Sequence, residues 1–156
     1  MSGRRRILVL LAAGGSAALL LGAFGFQYLG GLAPCKLCLW QRWPHAAAVL
    51  IGLAALRWPA MRPWPFAGAL AALATSAIGF YHLGVEQRWW EGPSTCSAAA
   101  PGGLSAEALF ERIMSAPLVR CDEVAWSLFG LSMAGWNALL SLGLAGLWLW
   151  AARRPG

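Results

Sequence analysis

Three long stretches of the chain carry no Asp, Glu, Lys or Arg: 7–26, 64–85 and 124–152. As helices, each is long enough to cross the roughly 30 Å hydrocarbon core of a bilayer. A fourth apolar stretch, 37–56, is interrupted by Arg42 near its start, and the uncharged run that remains is short enough for a re-entrant or interfacial segment. The pattern therefore predicts three membrane spans and one candidate for a fourth.

The distribution of charge favours a crossing at 37–56, with Arg42 near one end and able to snorkel. One face of the membrane then holds seven of the twelve basic residues and no acid, and the other holds the remaining five with all six acids. The basic face comprises Arg4, Arg5, Arg6, Arg57, Arg62, Arg153 and Arg154. The positive-inside rule then puts both termini in the cytoplasm. We predict an all-α membrane protein, a four-transmembrane-helix bundle forming one domain over 1–156.

Composition agrees with a membrane location, since 59% of the residues are hydrophobic and only 12% are charged. The net charge of +6 would suit nucleic acid, but the basic residues stand where orientation requires them, so we expect a lipid bilayer and no nucleic acid as partner. Arg4 to Arg6 before an apolar run also resembles a signal peptide. The run is long for one, which favours a retained span.

Two loops are predicted on the outer, periplasmic face, 27–36 and 86–123. In the second, Ser105 is a plausible N-cap with Glu107 in the following turn, and a short helix is expected to about Met114. Its apolar residues, Leu109, Phe110, Ile113 and Met114, cluster on one face. Such a helix is expected to lie on the membrane surface.

All four cysteines fall on this outer face: Cys35, Cys38, Cys96 and Cys121. Disulfides persist in oxidising compartments, so two structural disulfides are one interpretation, and for Cys96 and Cys121 alone it is the favoured one. The C-x-x-C pair of Cys35 and Cys38 differs, because so small a ring gives little entropic stabilisation and the spacing is typical of exchange-active thiols. We predict that this pair is redox-active.

Helix geometry suggests how Cys38 would act. It should lie near the amino end of the second span, where unpaired N–H groups favour an anion, and Arg42 follows one turn later. Both features should favour a Cys38 thiolate, suited to donate electrons to a quinone. The alternative for Arg42 is a cation that only anchors the helix among lipid headgroups.

Metal binding is not expected. Four cysteines could form a zinc site, but a second C-x-x-C is absent from the sequence. A c-type haem site would need His directly after Cys38, where Leu39 stands.

A group of motifs resembles the disulfide bond formation protein B (DsbB) family, the quinone-linked thiol oxidases of bacterial inner membranes. The residues that carry the resemblance are 34–38 with Gln41-Arg42, Tyr81-His82, Cys96, Cys121 and 126–133. The resemblance implies that a reduced DsbA-type thioredoxin-fold partner attacks Cys96 and displaces Cys121, which then bridges to Cys35 and leaves Cys38 facing a membrane quinone.

By the same resemblance, Arg42 and His82 are the expected quinone-binding residues. The alternative for His82, and for His45, is an interfacial histidine with satisfied hydrogen bonds. Gln41 stands where some family members carry an acid, which implies a different charge balance at the quinone site. The quinone is ubiquinone or menaquinone. Two alternatives remain open: a quinone oxidoreductase similar to vitamin K epoxide reductase, and a structural subunit with inert disulfides.

Overall fold

The computed structural model describes residues 2–60, 62–93, 105, 110 and 119–154, and these residues form an all-α bundle. The long helices are α1 (Gly3–Tyr28), α2 (Lys36–Arg57), α3 (Trp64–Glu86) and α4 (Met133–Ala152). A two-stranded antiparallel hairpin, β1 (Ser127–Leu128) and β2 (Leu131–Ser132), leads into α4. The predicted fold class is confirmed. The short interfacial helix predicted after Ser105 lies almost wholly outside the described residues.

Three of these helices, α1, α3 and α4, are long and apolar enough to cross a membrane by length and composition. The chain is therefore a multi-pass membrane protein. Helix α2 is of similar length, 22 residues, but it carries polar side chains such as Gln41 and His45. Its crossing stays a prediction, as do the cytoplasmic location of both termini and the outer location of the cysteines.

The helices pack closely because small residues line their contacts. Helix α3 lies against α2 and α4, and α1 lies against the same two helices. At the end of the bundle that holds both termini, the fully buried Trp148 is surrounded mainly by alanines, including Ala12, Ala69 and Ala72. Small side chains let helix backbones approach closely, which is how helices associate in a bilayer.

Gly68 gives a testable measure of this packing. A Cβ atom added there would overlap the Trp148 indole ring, whereas one added at Gly143 of α4 would meet nothing within 4 Å. We expect Gly68→Ala to destabilise the protein by about 1–3 kcal/mol through overpacking. Thermal unfolding in detergent should show a lower midpoint for this variant and no loss for Gly143→Ala. Equal midpoints would contradict the packing described.

The hairpin shows where the last predicted span differs from the structure. The uncharged run begins at residue 124, but α4 begins only at Met133. Phe129 and Gly130 have φ values of 52° and 78°, as a two-residue hairpin turn requires. Ser132 then caps α4 by accepting a hydrogen bond from the Gly135 N–H at 3.2 Å. The chain before α4 thus folds back beside the end of the bundle that holds Cys35 and Cys38, where Trp126 packs on Phe26.

Candidate functional site

The C-x-x-C pair lies at the first turn of α2. Both cysteines are free thiols, and their Sγ atoms are 3.0 Å apart. Cys35 is the N-cap residue, and its Sγ accepts a hydrogen bond from the Cys38 N–H at 3.2 Å. The prediction that the helix amino end acts on Cys38 therefore has to be corrected, since the capping N–H serves the sulfur of Cys35.

The surroundings of Cys35 favour its thiolate. The hydrogen bond to the Cys38 side chain, helped by His82 and the capping N–H, lowers the pKa of the Cys35 thiol from 9.0 to about 4, although burial opposes the shift. A thiol with a lowered pKa is ionised at every pH above that value, so Cys35 is a thiolate at neutral pH. Low-pKa thiolates are good leaving groups in disulfide exchange.

This gives a pH prediction. In the fully reduced protein, the ultraviolet absorbance of one thiolate should persist as the pH falls from neutral to about 5, because the Cys35 pKa lies below that range. An ordinary thiol would already be protonated there. Cys35→Ser should remove this absorbance, and Cys96→Ser, which leaves the α2 pair intact, serves as the control. A midpoint near 9 for the absorbance that Cys35→Ser removes would refute the prediction.

His82 of α3 lies between Cys35 and Gln41 and contacts both side chains. Its Nε2 atom lies 3.5 Å from Cys35 Sγ, and its Nδ1 atom lies 3.1 Å from the side-chain amide nitrogen of Gln41. Because that amide nitrogen can only donate, Nδ1 accepts and the ring proton of a neutral His82 is on Nε2, facing the sulfur. The Gln41 amide therefore sets the tautomer with which His82 approaches Cys35.

Gln41 continues this chain of hydrogen bonds to α4. Its Oε1 atom accepts from Asn137 Nδ2 at 2.7 Å, and Asn137 Oδ1 lies 2.8 Å from His45 Nε2. The Thr75 hydroxyl donates a further hydrogen bond to the backbone carbonyl of Gln41. Gln41, His45 and His82 are each less than a tenth exposed. The sequence argument did not identify Asn137 or Thr75, although an amide side chain inside an apolar span is a recognised signal of a polar site.

Cys121 is brought to the same place from the far end of the long loop. It is disulfide-bonded, only 1% exposed, and packs in one buried cluster with Cys35, Leu37 and Val85. The His82 ring also hydrogen-bonds the backbone of Cys121. The structure thus gathers Cys35, Cys38 and Cys121 at one site, while Cys96 lies outside the described residues.

Cys38 is one of the residues that line an apolar cavity of about 390 Å³. The cavity lies between α1, α2, α4 and the segment before α4. Its walls are mainly aliphatic and aromatic, and its polar lining consists of Gln41, Arg42, His45, His82 and Asn137. Cys38 lines this cavity and also packs against the cluster that contains Cys35 and Cys121, whereas Cys35 is not among the cavity's lining residues. Of the two thiols, Cys38 is therefore the one that reaches the cavity.

Arg42 is held at the cavity by α1 rather than by Cys38. Its guanidinium donates to Gln27 Oε1 at 2.6 Å and to the Ala23 carbonyl at 3.3 Å, and it lies over the Phe24 ring. Among the described residues, its buried Nε atom has no hydrogen-bond partner. The predicted pairing of Arg42 with Cys38 along one helix face is not what the structure has. The arginine is instead a cation held in place by α1, and no described residue accepts a hydrogen bond from its Nε–H group.

The sulfur atoms of Cys35 and Cys38 and the imidazole of His82 also lie within 4.8 Å of one another, close enough to hold a metal ion. Thiolate and imidazole are the ligands that zinc prefers. The expectation of no metal remains a prediction, and metal analysis of the purified, reduced protein tests it.

Comparison with known proteins identifies the family. Residues 5–151 match the model of the family described as disulfide bond formation protein DsbB. The chain belongs to the DsbB family. Its relatives include proteins named disulfide bond formation protein B from Verminephrobacter eiseniae, 34% identical over 97% of this chain and 87% of the relative, and from Methylococcus capsulatus, 33% identical over 88% and 90%. No solved structure matches the chain.

Membership of the DsbB family indicates the general chemistry of the site. Relatives that carry the disulfide bond formation name support a disulfide-forming oxidoreductase of the membrane. The four cysteines on which the resemblance was based lie within the matched residues. The predicted family is therefore confirmed.

Proposed function

We propose that the chain is a protein thiol:quinone oxidoreductase. In this proposal it reoxidises a periplasmic DsbA-type dithiol oxidase and passes the electrons through two cysteine pairs to a membrane quinone. The observation that carries the proposal is the position of the C-x-x-C pair between the disulfide-bonded Cys121 and an apolar cavity. Both thiols pack with the cluster that contains Cys121, and Cys38 also lines the cavity.

The first half of the reaction is thiol–disulfide exchange. A thiolate of the reduced partner attacks Cys96, forms a mixed disulfide and releases Cys121 as a thiolate; the second partner thiol then closes the partner disulfide and frees Cys96. Two electrons thereby leave the partner for Cys96 and Cys121. The roles of the individual cysteines follow the family resemblance.

The second half returns the loop pair to its disulfide. The Cys121 thiolate attacks Cys35 of an oxidised Cys35–Cys38 disulfide, and Cys38 leaves as a thiolate. Cys96 then attacks Cys121, and Cys35 leaves in turn, so that the electrons rest on the α2 pair. Free thiols at Cys35 and Cys38, beside a disulfide-bonded Cys121, match the state expected at this point.

His82 has a specific part in the last exchange. Its Nε2–H group faces Cys35 Sγ at 3.5 Å, and Gln41 holds it in that tautomer. A hydrogen bond to the departing sulfur stabilises the Cys35 thiolate and so favours its release from Cys121. Cys35 therefore leaves readily when Cys96 attacks Cys121.

The cavity fits a quinone headgroup. Its walls are apolar, as a flat ring requires, and two buried lining atoms have no hydrogen-bond partner among the described residues: Arg42 Nε and His45 Nδ1. Bound there, a quinone supplies an acceptor for two electrons and two protons. Arg42 would donate to a ring oxygen, and His45 Nδ1, left as an acceptor by the bond of Nε2 to Asn137, would suit a quinol hydroxyl.

The proposal includes a location in the bacterial inner membrane, with both termini in the cytoplasm and the cysteines facing the periplasm. Support comes from the seven basic residues and no acid on one side of the predicted spans. An oxidising periplasm is also the compartment in which the disulfide of Cys121 would persist.

The direct test uses the purified protein in lipid nanodiscs, a reduced DsbA-type thioredoxin-fold protein and a water-soluble ubiquinone or menaquinone analogue. We expect one quinone to be reduced for every two partner thiols lost. A partner whose active-site cysteines have been alkylated beforehand is the control and should leave the quinone unchanged. If the partner stays reduced, the result favours a structural subunit with inert disulfides. If the partner is oxidised without loss of quinone, the quinone is not the electron acceptor.

A further inference from the structure

Four arginines converge at the opposite end of the bundle from the cysteines. They come from the first turn of α1, the connection between α2 and α3, and the end of α4, and they line a cavity of about 440 Å³. The lining is Arg5, Arg62, Arg153 and Arg154, with Phe66 and Ala152. Three separate parts of the chain thus contribute positive charge to one concave site.

Arg5 is the member whose burial is not explained by orientation in the membrane. It is only 4% exposed, and its Nε atom has no hydrogen-bond partner among the described residues. Arginines that orient a membrane protein serve that purpose while exposed to headgroups and water, as Arg4 and Arg6 are. A buried guanidinium without a counter-ion is costly, so this position calls for an anion.

Among the described residues, no acidic side chain lines this cavity. All six Asp and Glu residues fall between 86 and 123, and no ion pair of the described residues includes an arginine of this cavity. Guanidinium groups match the oxygens of a phosphate in a two-pronged hydrogen-bonding geometry. Phe66, which is exposed on α3, adds an apolar surface beside the arginines.

We propose that this cavity, at the predicted cytoplasmic end of the bundle, binds a phosphate group, carried by an anionic phospholipid headgroup or by a soluble phosphate. The arginine cavity lies on different residues from the thiol site and does not depend on the proposed redox function. Arg5 supplies the buried cation, and Arg62, Arg153 and Arg154 surround the anion from the rim. Basic pockets between helices on the cytoplasmic side are a known means of holding lipid headgroups.

Binding is measured on the full-length protein purified in a neutral detergent. Short-chain phosphatidylglycerol, short-chain phosphatidylcholine and inorganic phosphate are titrated separately, with the thermal midpoint and native mass spectra as readouts. Arg5→Gln and Arg62→Gln remove a cavity cation. Arg4→Gln and Arg57→Gln are matched controls, because each removes an exposed cation from the same predicted side. Arg62 is itself exposed, so its variant remains informative if Arg5→Gln fails to fold.

We expect phosphatidylglycerol to raise the thermal midpoint and to remain bound in the mass spectra. Affinity should fall on the order of tenfold in Arg5→Gln and in Arg62→Gln, since each loses a charge-assisted hydrogen bond, and should not change in the controls. Stabilisation by inorganic phosphate without lipid retention would support the site and assign it to a soluble phosphate. The proposal is overturned if neither anion binds, if phosphatidylcholine binds equally well, or if Arg4→Gln weakens binding as much as the cavity variants.

Discussion

Cys38→Ser is expected to abolish quinone reduction while leaving one round of partner oxidation intact. Cys38 is the thiol that lines the cavity, and a serine hydroxyl cannot carry the electrons of a thiolate. The turnover rate with a soluble quinone should fall at least about a thousandfold, as for other residues that react directly. The disulfide of Cys121 does not involve Cys38, so it can still accept electrons once from the partner.

A single-turnover experiment separates these two halves. The variant is mixed with excess reduced partner, and partner disulfide and quinone are followed together. One equivalent of partner should be oxidised before the reaction stops. Cys121→Ser is the complementary variant: it has no loop disulfide and should oxidise no reduced partner, whereas oxidised partner should form a mixed disulfide when the Cys96 thiolate attacks its disulfide. Sustained quinone reduction by Cys38→Ser would show that electrons reach the cavity by another route.

Arg42→Gln is expected to raise the KM for quinone by about 10–100-fold, the value of one lost charge-assisted hydrogen bond. Arg42 lines the cavity with a buried, unpartnered Nε atom, and Gln27 and Ala23 fix its position. Steady-state kinetics against quinone concentration measure the effect, while the KM for the partner protein should not change because the thiol exchange does not use Arg42.

The matched control for this prediction is Arg88→Gln. It also removes one cation, but from an exposed position after the end of α3. Its KM for quinone should equal that of the wild-type protein. If Arg42 served only as an anchor among lipid headgroups, both variants would behave alike. An unchanged KM in Arg42→Gln would therefore favour the anchoring interpretation.

Sequence patterns located the helices well because the chain must cross hydrocarbon, and long uncharged runs are a direct consequence of that solvent. The predicted starts of α2 and α4 were less accurate. An uncharged run cannot distinguish a helix from the hairpin at 127–132, since both satisfy their backbone groups. Helix α2 starts at Lys36 rather than at residue 37, so Cys35 is the N-cap residue. This difference of one position decides which sulfur accepts the hydrogen bond from the backbone N–H at the helix start.

Side-chain partners across helices were beyond the sequence argument. Spacing places Arg42 on the same helix face as Cys38, but a long guanidinium side chain can also reach a neighbouring helix, and here Gln27 of α1 holds it. The link from Gln41 to Asn137 spans 96 positions of the chain and depends on how α2 packs against α4. Such contacts follow from tertiary packing, for which one sequence carries no local signal.

The polar side chains of α2 have a consequence for biogenesis. Each one has a hydrogen-bond partner on a helix other than α2: Arg42 on α1, Gln41 on α3 and α4, and His45 on α4. Hydrocarbon offers none of these partners, so α2 alone would be poorly retained in a bilayer. Because α4 is synthesised last, stable integration of α2 would have to wait for it. A nascent chain stalled before α4 would then be an early target for membrane quality-control proteases.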